Sequence, residues 1–173
     1  MVDSLRDGEQ FAVGLGSNLG DRLANLRLGL RAVASHATDL VVSDVYETEP
    51  VLFVAQGPFL NACCVGRTCL TPRQLLSELQ DAERRAGRRS GGPRYGPREL
   101  DLDLLLFGDL TLEREELVVP HPRLRDRAFV LAPLSEIAAD WVVPAAGDQQ
   151  PATVRELAET VTHAGIERTE LKL

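Results

Sequence analysis

Two aspartates in an otherwise apolar run place the strongest constraint on how this chain folds. Residues 100–107 read LDLDLLLF, so acidic and apolar residues alternate before an unbroken apolar stretch. Because successive side chains of a strand point to opposite faces, Asp101 and Asp103 should share one face, roughly 6–7 Å apart. The apolar stretch is typical of a strand buried on both faces, where carboxylates without partners cost free energy. The pattern therefore favours a functional pair of carboxylates.

A block of arginines directly precedes this strand. Residues 84–98 contain no acidic residue, although the net charge of the chain is -7, and they hold Arg84, Arg85, Arg88, Arg89, Arg94 and Arg98. This local positive charge predicts an anionic ligand, while paired carboxylates suit Mg²⁺, which takes oxygen ligands and commonly shares itself with phosphates. The two features together predict a magnesium and polyphosphate site. The structural alternative is that the aspartates form ion pairs with these arginines, which belong to a solvated loop.

The size and composition of the chain favour one domain. It has 173 residues, of which 44% are hydrophobic, enough for one substantial core and too few for two comfortable domains. We expect a single domain over residues 1–173, with an N-terminal extension at 1–10 and a C-terminal tail at 165–173. No stretch approaches eighteen apolar residues and the first ten residues lack an apolar segment, so we expect no signal peptide, no membrane span and a cytoplasmic location.

Cysteine content and charge argue against two further classes of protein. The three cysteines are odd in number, and Cys63 and Cys64, as neighbours in a strand, would face opposite sides. This suits neither a disulfide framework nor a zinc site, so we interpret these two and Cys69 as reduced packing residues. The acidic balance of the chain argues against general nucleic-acid binding, which needs a broad basic surface.

The order of the predicted elements indicates a ferredoxin-like α+β fold. Apolar periodicity predicts four strands and two helices in the order strand, helix, strand, strand, helix, strand, at residues 11–15, 23–33, 40–47, 59–67, 71–86 and 100–107. A capping box from Thr71 to Gln74, with Pro72 at the first helical position, fixes the start of the second helix. This order is the split βαββαβ arrangement.

Further elements should be added to this core. We expect a strand pair within 111–119 at the edge of the sheet, and a third helix over 128–139 that is interrupted or kinked near Pro133. A short strand at 141–144 and a last helix that begins at the Thr153 capping box should follow.

Two polar or glycine-bearing positions allow more than one interpretation. Asn61 lies between Phe59 and Cys63 on one strand face, where its amide either satisfies a neighbouring backbone group or binds the edge of a planar ligand. The glycine-bearing loop at 14–21 follows the first strand but matches neither the G-x-G-x-x-G nor the Walker spacing. That loop is therefore a plain turn or part of a phosphate site.

Taken together, these motifs resemble the 6-hydroxymethyl-7,8-dihydropterin pyrophosphokinase family. The resemblance extends from residue 11 to about residue 144 and rests on GSNLG at 16–20, YETEP at 46–50, FLNA at 59–62, RYGPRELDLD at 94–103 and VPHPRLRDRAF at 119–129. It implies a three-layer α/β/α domain that moves pyrophosphate from ATP to the hydroxymethyl group of the reduced pterin, releasing AMP and using two Mg²⁺ ions. The expected partners are ATP and the reduced hydroxymethylpterin, with no nucleic acid, no membrane and a monomeric protein.

The resemblance also implies roles for individual residues. Catalysis would fall to Arg88, Arg98, Asp101 and Asp103, and the two aspartates would hold the metal. ATP would be bound by Gln80, Glu83, Arg88, Arg98, His121 and Arg127, although Gln80 and Glu83 are equally compatible with solvated helix positions. The pterin would be bound by Thr48, Val51, Phe59, Asn61 and Phe129. Without the resemblance, Phe59 and Phe129 would be interpreted as core residues.

Two other functions remain compatible with the residues. A metal-dependent nucleotidyltransferase on the same fold would use the carboxylate pair for attack at the α-phosphate and would release pyrophosphate instead of AMP. A non-enzymatic ferredoxin-like binding module would carry the pair without any turnover.

Overall fold

A computed structural model describes residues 8–49, 56–87 and 96–173, which form a layered arrangement of strands and helices. The strands are β1 (Glu9–Ser17), β2 (Thr38–Val42), β3 (Tyr46–Thr48), β4 (Phe59–Thr68), β5 (Asp101–Phe107), β6 (Leu112–Arg114), β7 (Leu117–Val119), β8 (Val142–Val143), β9 (Ala152–Thr153) and β10 (Ile166–Arg168). The helices are α1 (Arg22–Ala34), α2 (Pro72–Arg85), α3 (Ala128–Ala138) and α4 (Val154–Thr160), with a short 3-10 turn at Leu124–Asp126.

The main sheet has the ferredoxin-like strand order. Its order is β10-β3-β4-β1-β5, and β2 also pairs with β4. All of these pairs are antiparallel. Since α1 follows β1 and α2 connects β4 to β5, the βαββαβ order expected from the sequence is confirmed. β1 lies between β4 and β5, so two different strands can present side chains beside it.

Two apolar cores, one on each face of the sheet, hold three layers together. Neighbouring residues of β1 alternate between them: Phe11 and Val13 belong to the first core, whereas Ala12 belongs to the second. The first core includes Leu26 of α1 and the second includes Leu131 of α3, all of them buried. The three-layer α/β/α arrangement is therefore present.

The strand expected at 40–47 is in fact two strands, because Ser43 interrupts it. The Ser43 amide donates to the Cys63 carbonyl at 2.9 Å, and the Cys63 amide donates to the Ser43 hydroxyl, also at 2.9 Å. The side chain thus replaces a backbone group of the ladder. Val42 pairs with Cys64 and Tyr46 with Asn61, so three residues of one strand face two of the other, as in a β-bulge.

The hairpin expected at 111–119 forms, but in the described residues its strands β6 and β7 pair only with each other and not with the edge of the main sheet. The outer edge of β5 is already occupied. The Glu83 carboxylate accepts the Leu102 amide proton at 2.8 Å, and the His121 amide donates to the Leu105 carbonyl at 2.9 Å.

Several other sequence predictions agree with the structure. Helices α3 and α4 form, β8 lies within the strand expected at 141–144, and two of the three cysteines pack in the cores. Both capping boxes are present, at Thr71 and at Thr153. The third helix, α3, runs continuously through Pro133, so the interruption expected there does not occur. Cys63 and Cys64 are buried in opposite cores, and burial raises the pKa of both thiols, that of Cys64 to about 12. Cys69 is exposed, so its assignment as a packing residue was wrong. Among the described residues, no helix combines the length and apolar character needed to cross a bilayer.

The close contact between α1 and the chain at β5 yields a stability prediction. A Cβ atom at Gly29 would lie 3.0 Å from Leu100 Cδ1 and 3.0 Å from Leu102 Cδ2. We expect Gly29→Val to lower the free energy of unfolding by about 1–3 kcal/mol, the usual cost of overpacking a core. Urea denaturation measures this change. Ala24→Val, at an exposed position of α1, is the control and should cost less than about 0.7 kcal/mol, the range of ordinary helix propensities. Equal costs would contradict close packing at Gly29.

Candidate active site

One face of the main sheet is only partly covered, and its open part borders a cleft of about 790 Å³. At one end of this face, α3 packs on β4, and the Cys63 thiol donates to the Val130 carbonyl at 3.6 Å. At the other end none of the helices in the described residues covers the strands. The cleft is lined there by residues of β1, β3, β4 and β5 and by the start of α3. The site therefore lies where the second core stops.

Glycines of the central strand form the floor of the cleft. Gly16 pairs with Asn61 on one side and with Asp101 on the other, and Gly14 pairs with Asp103. A Cβ atom at Gly16 would lie 3.1 Å from the Asn61 amide oxygen. Glycine within a strand is typical of a place where another group approaches the backbone. Because Gly14 and Gly16 carry no side chain, β1 leaves room between the polar residues of β4 and those of β5.

Asp101 and Asp103 lie on the same face of β5 and both line the cleft, as their alternation in the sequence predicted. Their side chains are 35% and 31% exposed, whereas Leu102 between them is buried. Each carboxylate lies near an arginine: Arg98 is 3.5 Å from Asp101, and Arg127 is 3.0 Å from Asp103. The ion pairs of the structural alternative are thus present, but one of the two arginines comes from outside the block at 84–98.

His121 stands behind Asp103. Its Nε2 lies 3.8 Å from Asp103 Oδ2, and its Nδ1 accepts the Arg123 amide proton at 3.1 Å. The pKa of His121 is lowered overall. Burial is the main cause; the Asp103 carboxylate raises the pKa, whereas Arg127 and Arg123 lower it further. In the neutral ring the proton is on Nε2, because Nδ1 is the acceptor. A polar hydrogen is therefore available on the side of the carboxylate.

The other end of the cleft carries two aromatic side chains. Phe59 and Phe129 both line it, together with Thr48 and Asn61. The Asn61 side chain is 6% exposed, and its amide nitrogen donates to the Thr48 hydroxyl at 2.7 Å. The Arg127 guanidinium lies 5.4 Å from the centroid of the Phe129 ring. One arginine thus contacts both the acidic end and the aromatic end of the cleft.

Asn18 connects the segments that border the cleft, a role that the sequence left open. Its side-chain oxygen accepts the Arg98 amide proton at 2.7 Å, and its own amide donates to the Arg98 carbonyl at 3.0 Å. Its side-chain nitrogen donates to Gln56 at 3.1 Å and to the Gly57 carbonyl at 3.3 Å. Because Asn18 is only 8% exposed, these bonds fix the backbone of Arg98 beside Asp101.

The structure brings together most of the residues that the sequence resemblance selected. Those that line the cleft are Thr48, Phe59, Asn61, Arg98, Asp101, Asp103, Arg127 and Phe129. His121 lies just behind them, whereas Gln80 and Glu83 are not among the lining residues. Arg88 and Val51 lie outside the described residues.

Gln80 and Glu83 occupy different environments on α2. Gln80 is exposed. Glu83 is 4% exposed, and its carboxylate accepts the Leu102 amide proton. Glu83 is therefore not the solvated helix position that was weighed as an alternative. This hydrogen bond joins α2 to the edge of β5.

Several cleft residues had no role in the sequence analysis. They are Gly14, Glu49, Arg123, Asp126 and the C-terminal residues Thr162, Ala164, Gly165 and Ile166. The alternation of Gly14 and Gly16 within an apolar strand was a usable signal for the floor of the cleft. The C-terminal residues carry no comparable pattern.

Comparisons with known proteins show which proteins this chain is similar to. The family model described as 7,8-dihydro-6-hydroxymethylpterin-pyrophosphokinase (HPPK) matches residues 12–139. A Bacillus subtilis protein named 2-amino-4-hydroxy-6-hydroxymethyldihydropteridine pyrophosphokinase is 46% identical over 127 residues, which cover 72% of this chain and 75% of that protein. A Methylorubrum extorquens protein of the same name is 41% identical over 91% of this chain and 97% of its own length.

Other similar proteins are longer. The chain is 42% identical to a folate synthesis bifunctional protein of Arabidopsis thaliana over 75% of this chain, but it spans only 27% of that protein. A crystal structure described as HPPK-DHPS in complex with substrates has a TM-score of 0.67 and 13% identity, covering 88% of this chain and 43% of that one. At this identity the likeness supports the fold.

The buried carboxylate of Glu83 yields a prediction that separates its two possible roles. We expect Glu83→Ala to lower the free energy of unfolding by about 1–3 kcal/mol, because the buried Leu102 amide loses its acceptor. Glu83→Gln keeps a side-chain oxygen and should lose less. Urea denaturation and the KM for ATP are measured for both variants. If Glu83→Gln were as stable as the unaltered protein but bound ATP more weakly, a direct nucleotide contact would be supported instead.

Proposed function

Because the chain belongs to the 7,8-dihydro-6-hydroxymethylpterin-pyrophosphokinase family, we propose that it transfers pyrophosphate from ATP to the hydroxymethyl group of 6-hydroxymethyl-7,8-dihydropterin. The products are AMP and the pterin diphosphate, and the reaction belongs to folate biosynthesis. The observation that carries the proposal is one cleft with two carboxylates and two arginines at one end and two aromatic rings at the other. A cleft with one charged end and one aromatic end suits a substrate pair made of a polyphosphate and a flat heterocycle.

The aromatic end of the cleft supports pterin binding. Phe59 and Phe129 offer faces for offset stacking against a planar ring. Asn61 offers an amide for the polar edge of the ring, and its bond to Thr48 fixes the orientation of that amide. The floor at Gly16 lets the ring approach the backbone. These four features provide both the shape and the polar contacts that a pterin needs.

The acidic end of the cleft supports binding of ATP with magnesium. The donor set fits the ion, because Asp101 and Asp103 present only oxygen atoms and share one face. In the described part of the chain, no group of three or more His, Cys, Asp and Glu side chains could hold a metal. Phosphate and water oxygens would therefore complete the coordination, and we propose two Mg²⁺ ions held by the two aspartates. Bound magnesium supplies positive charge to the phosphate oxygens.

Arg98, Arg127 and His121 surround this end and supply donors for phosphate. Arginine presents a planar fork of N–H groups that matches phosphate oxygens. Arg98 is positioned through its backbone by Asn18, and Arg127 is positioned by Asp103 and by the Phe129 ring. Transfer of a phosphoryl group depends mainly on alignment of the reacting groups and on balance of the developing charge. These three side chains provide both, and Arg88 is proposed as a further donor.

We propose that the protein acts as a monomer. The proposed partners are its two small-molecule substrates.

Loss of either carboxylate should abolish most turnover. With ATP, Mg²⁺ and the reduced hydroxymethylpterin, we expect AMP and pterin diphosphate, quantified by liquid chromatography. Asp101→Asn and Asp103→Asn should each lower kcat/KM by about 10²–10³-fold, because an amide cannot balance the charge of the metal. Asp140→Asn, whose side chain is 87% exposed, is the matched control. Release of pyrophosphate would support the nucleotidyltransferase instead, and undiminished turnover in both cleft variants would refute the proposed site.

A methyl group on the floor of the cleft should weaken pterin binding selectively. Gly16→Ala places a Cβ atom 3.1 Å from the Asn61 oxygen, in the space proposed for the ring. We expect the Kd for the pterin, measured by calorimetry, to rise about tenfold or more, since small steric changes in a binding pocket have effects of this size. The Kd for an ATP analogue should hardly change. Gly57→Ala is the control, because among the described residues a Cβ atom there meets only the Asn18 carbonyl, at 4.0 Å. Equal weakening of both ligands would contradict a pterin position over Gly16.

A further inference from the structure

The C-terminal segment, defined here as residues 162–173, forms part of the cleft wall. It lies beyond residues 12–139, which the family model matches. Within it, Thr162, Ala164, Gly165 and Ile166 line the cleft, and β10 extends the main sheet by pairing with β3. A segment expected to be a tail thus contributes both to the sheet and to the site.

The pairing register places Ile166 in line with residues at the aromatic end. Ile166 pairs with Thr48 across β10 and β3, and Thr48 pairs with Phe59 across β3 and β4. Directly opposed residues of antiparallel strands point to the same face, with Cβ atoms about 4.5–5.5 Å apart. All three line the cleft. Ile166 is therefore the outermost member of a row that leads to the proposed ring position.

The segment is held in place by residues that do not line the cleft. Arg168 and Lys172 both form ion pairs with Asp44, and Arg168 also lies 3.7 Å from Glu136. The Thr169 amide and hydroxyl each contact the Val45 carbonyl at 2.9 Å. Arg168 shares a face of β10 with Ile166, but none of these three partners lines the cleft, so the anchor and the lining side chain are separable by mutation.

Gly165 brings the segment close to the chain that precedes residue 50. The Glu49 amide donates to the Gly165 carbonyl at 3.2 Å, and Glu49 itself lines the cleft. Gly165 has a φ of +73°, which favours glycine, and a Cβ atom there would lie 3.6 Å from the Glu49 carboxylate. This contact fixes the turn into β10 and hence the position of Ile166.

We propose that Ile166 is a specificity-determining residue that forms the outer apolar wall for the pterin. This inference rests on the proposed function, since it names a further contact for the same substrate. Removal of the Ile166 side chain would leave that end of the ring in water, whereas the phosphate end would be unaffected. The segment would thereby restrict which substituted flat rings fit the cleft.

Three variants test the inference: Ile166→Ala, Ile166→Val and Glu167→Ala. Glu167 is the matched control because it is adjacent in β10, exposed and on the opposite face. For Ile166→Ala we expect the KM and the calorimetric Kd for the pterin to rise about tenfold, while kcat and the KM for ATP change by less than about twofold. Ile166→Val should retain most of the binding, and Glu167→Ala should resemble the unaltered protein.

Each remaining outcome counts against the inference. If the pterin Kd of Ile166→Ala stays within about twofold, or the KM for ATP rises equally, Ile166 is not a wall for the ring. Thermal unfolding of each variant shows whether a general loss of structure causes the change, and a loss of Tm that accounts for weaker binding overturns the proposal. If the unaltered protein forms no AMP with the pterin, the proposed function fails first and this inference falls with it.

Discussion

The alternation of side chains along β1 is the constraint on which the cleft depends. Phe11 and Val13 point into the first core, so the residues between and after them must point to the opposite face. On that face Ala12 is covered by the second core, whereas Gly14 and Gly16 leave a trough. Larger apolar side chains at the two glycines would extend the second core over the site. The second core therefore ends, and the open half of the sheet begins, at two residues of the central strand that carry no side chain, Gly14 and Gly16.

The same trough explains how charged groups are kept at the surface of a well-packed sheet. Two carboxylates on one face of a strand repel each other and lose part of their hydration. Arg98 and Arg127 offset this cost, and both carboxylates remain about one-third exposed. A cation with phosphate ligands would compete for the same oxygens, so binding would exchange one set of opposite charges for another. Such an exchange costs little, because no buried charge is left without a partner at any stage.

The sequence predicted those parts of the fold and of the site that depend on a local residue pattern. The period of two in the aspartate strand fixed the shared face of Asp101 and Asp103, and the capping boxes fixed the starts of α2 and α4. It failed where a single side chain competes with the backbone. The Ser43 hydroxyl interrupts a strand by accepting a hydrogen bond from the Cys63 amide, and the Glu83 carboxylate occupies a sheet edge by accepting one from the Leu102 amide. Such bonds join residues about 20 positions apart, so no local pattern announces them.

The C-terminal segment shows how residues that line a cleft can lack any apolar pattern in the sequence. Residues 166–173 read IERTELKL. The three residues of β10, Ile166–Arg168, contain one apolar side chain followed by two charged ones, a pattern too short and too polar to predict a strand. The Asp44 side chain is only 15% exposed, but its partners Arg168 and Lys172 are 64% and 67% exposed. Ion pairs of exposed side chains contribute only about 0.2–1 kcal/mol each. The backbone ladder to β3 and the packing of Leu173 against the first core therefore carry much of the attachment. Because backbone pairing with β3 positions Ile166, the identity of its side chain is not needed to hold β10 in the sheet.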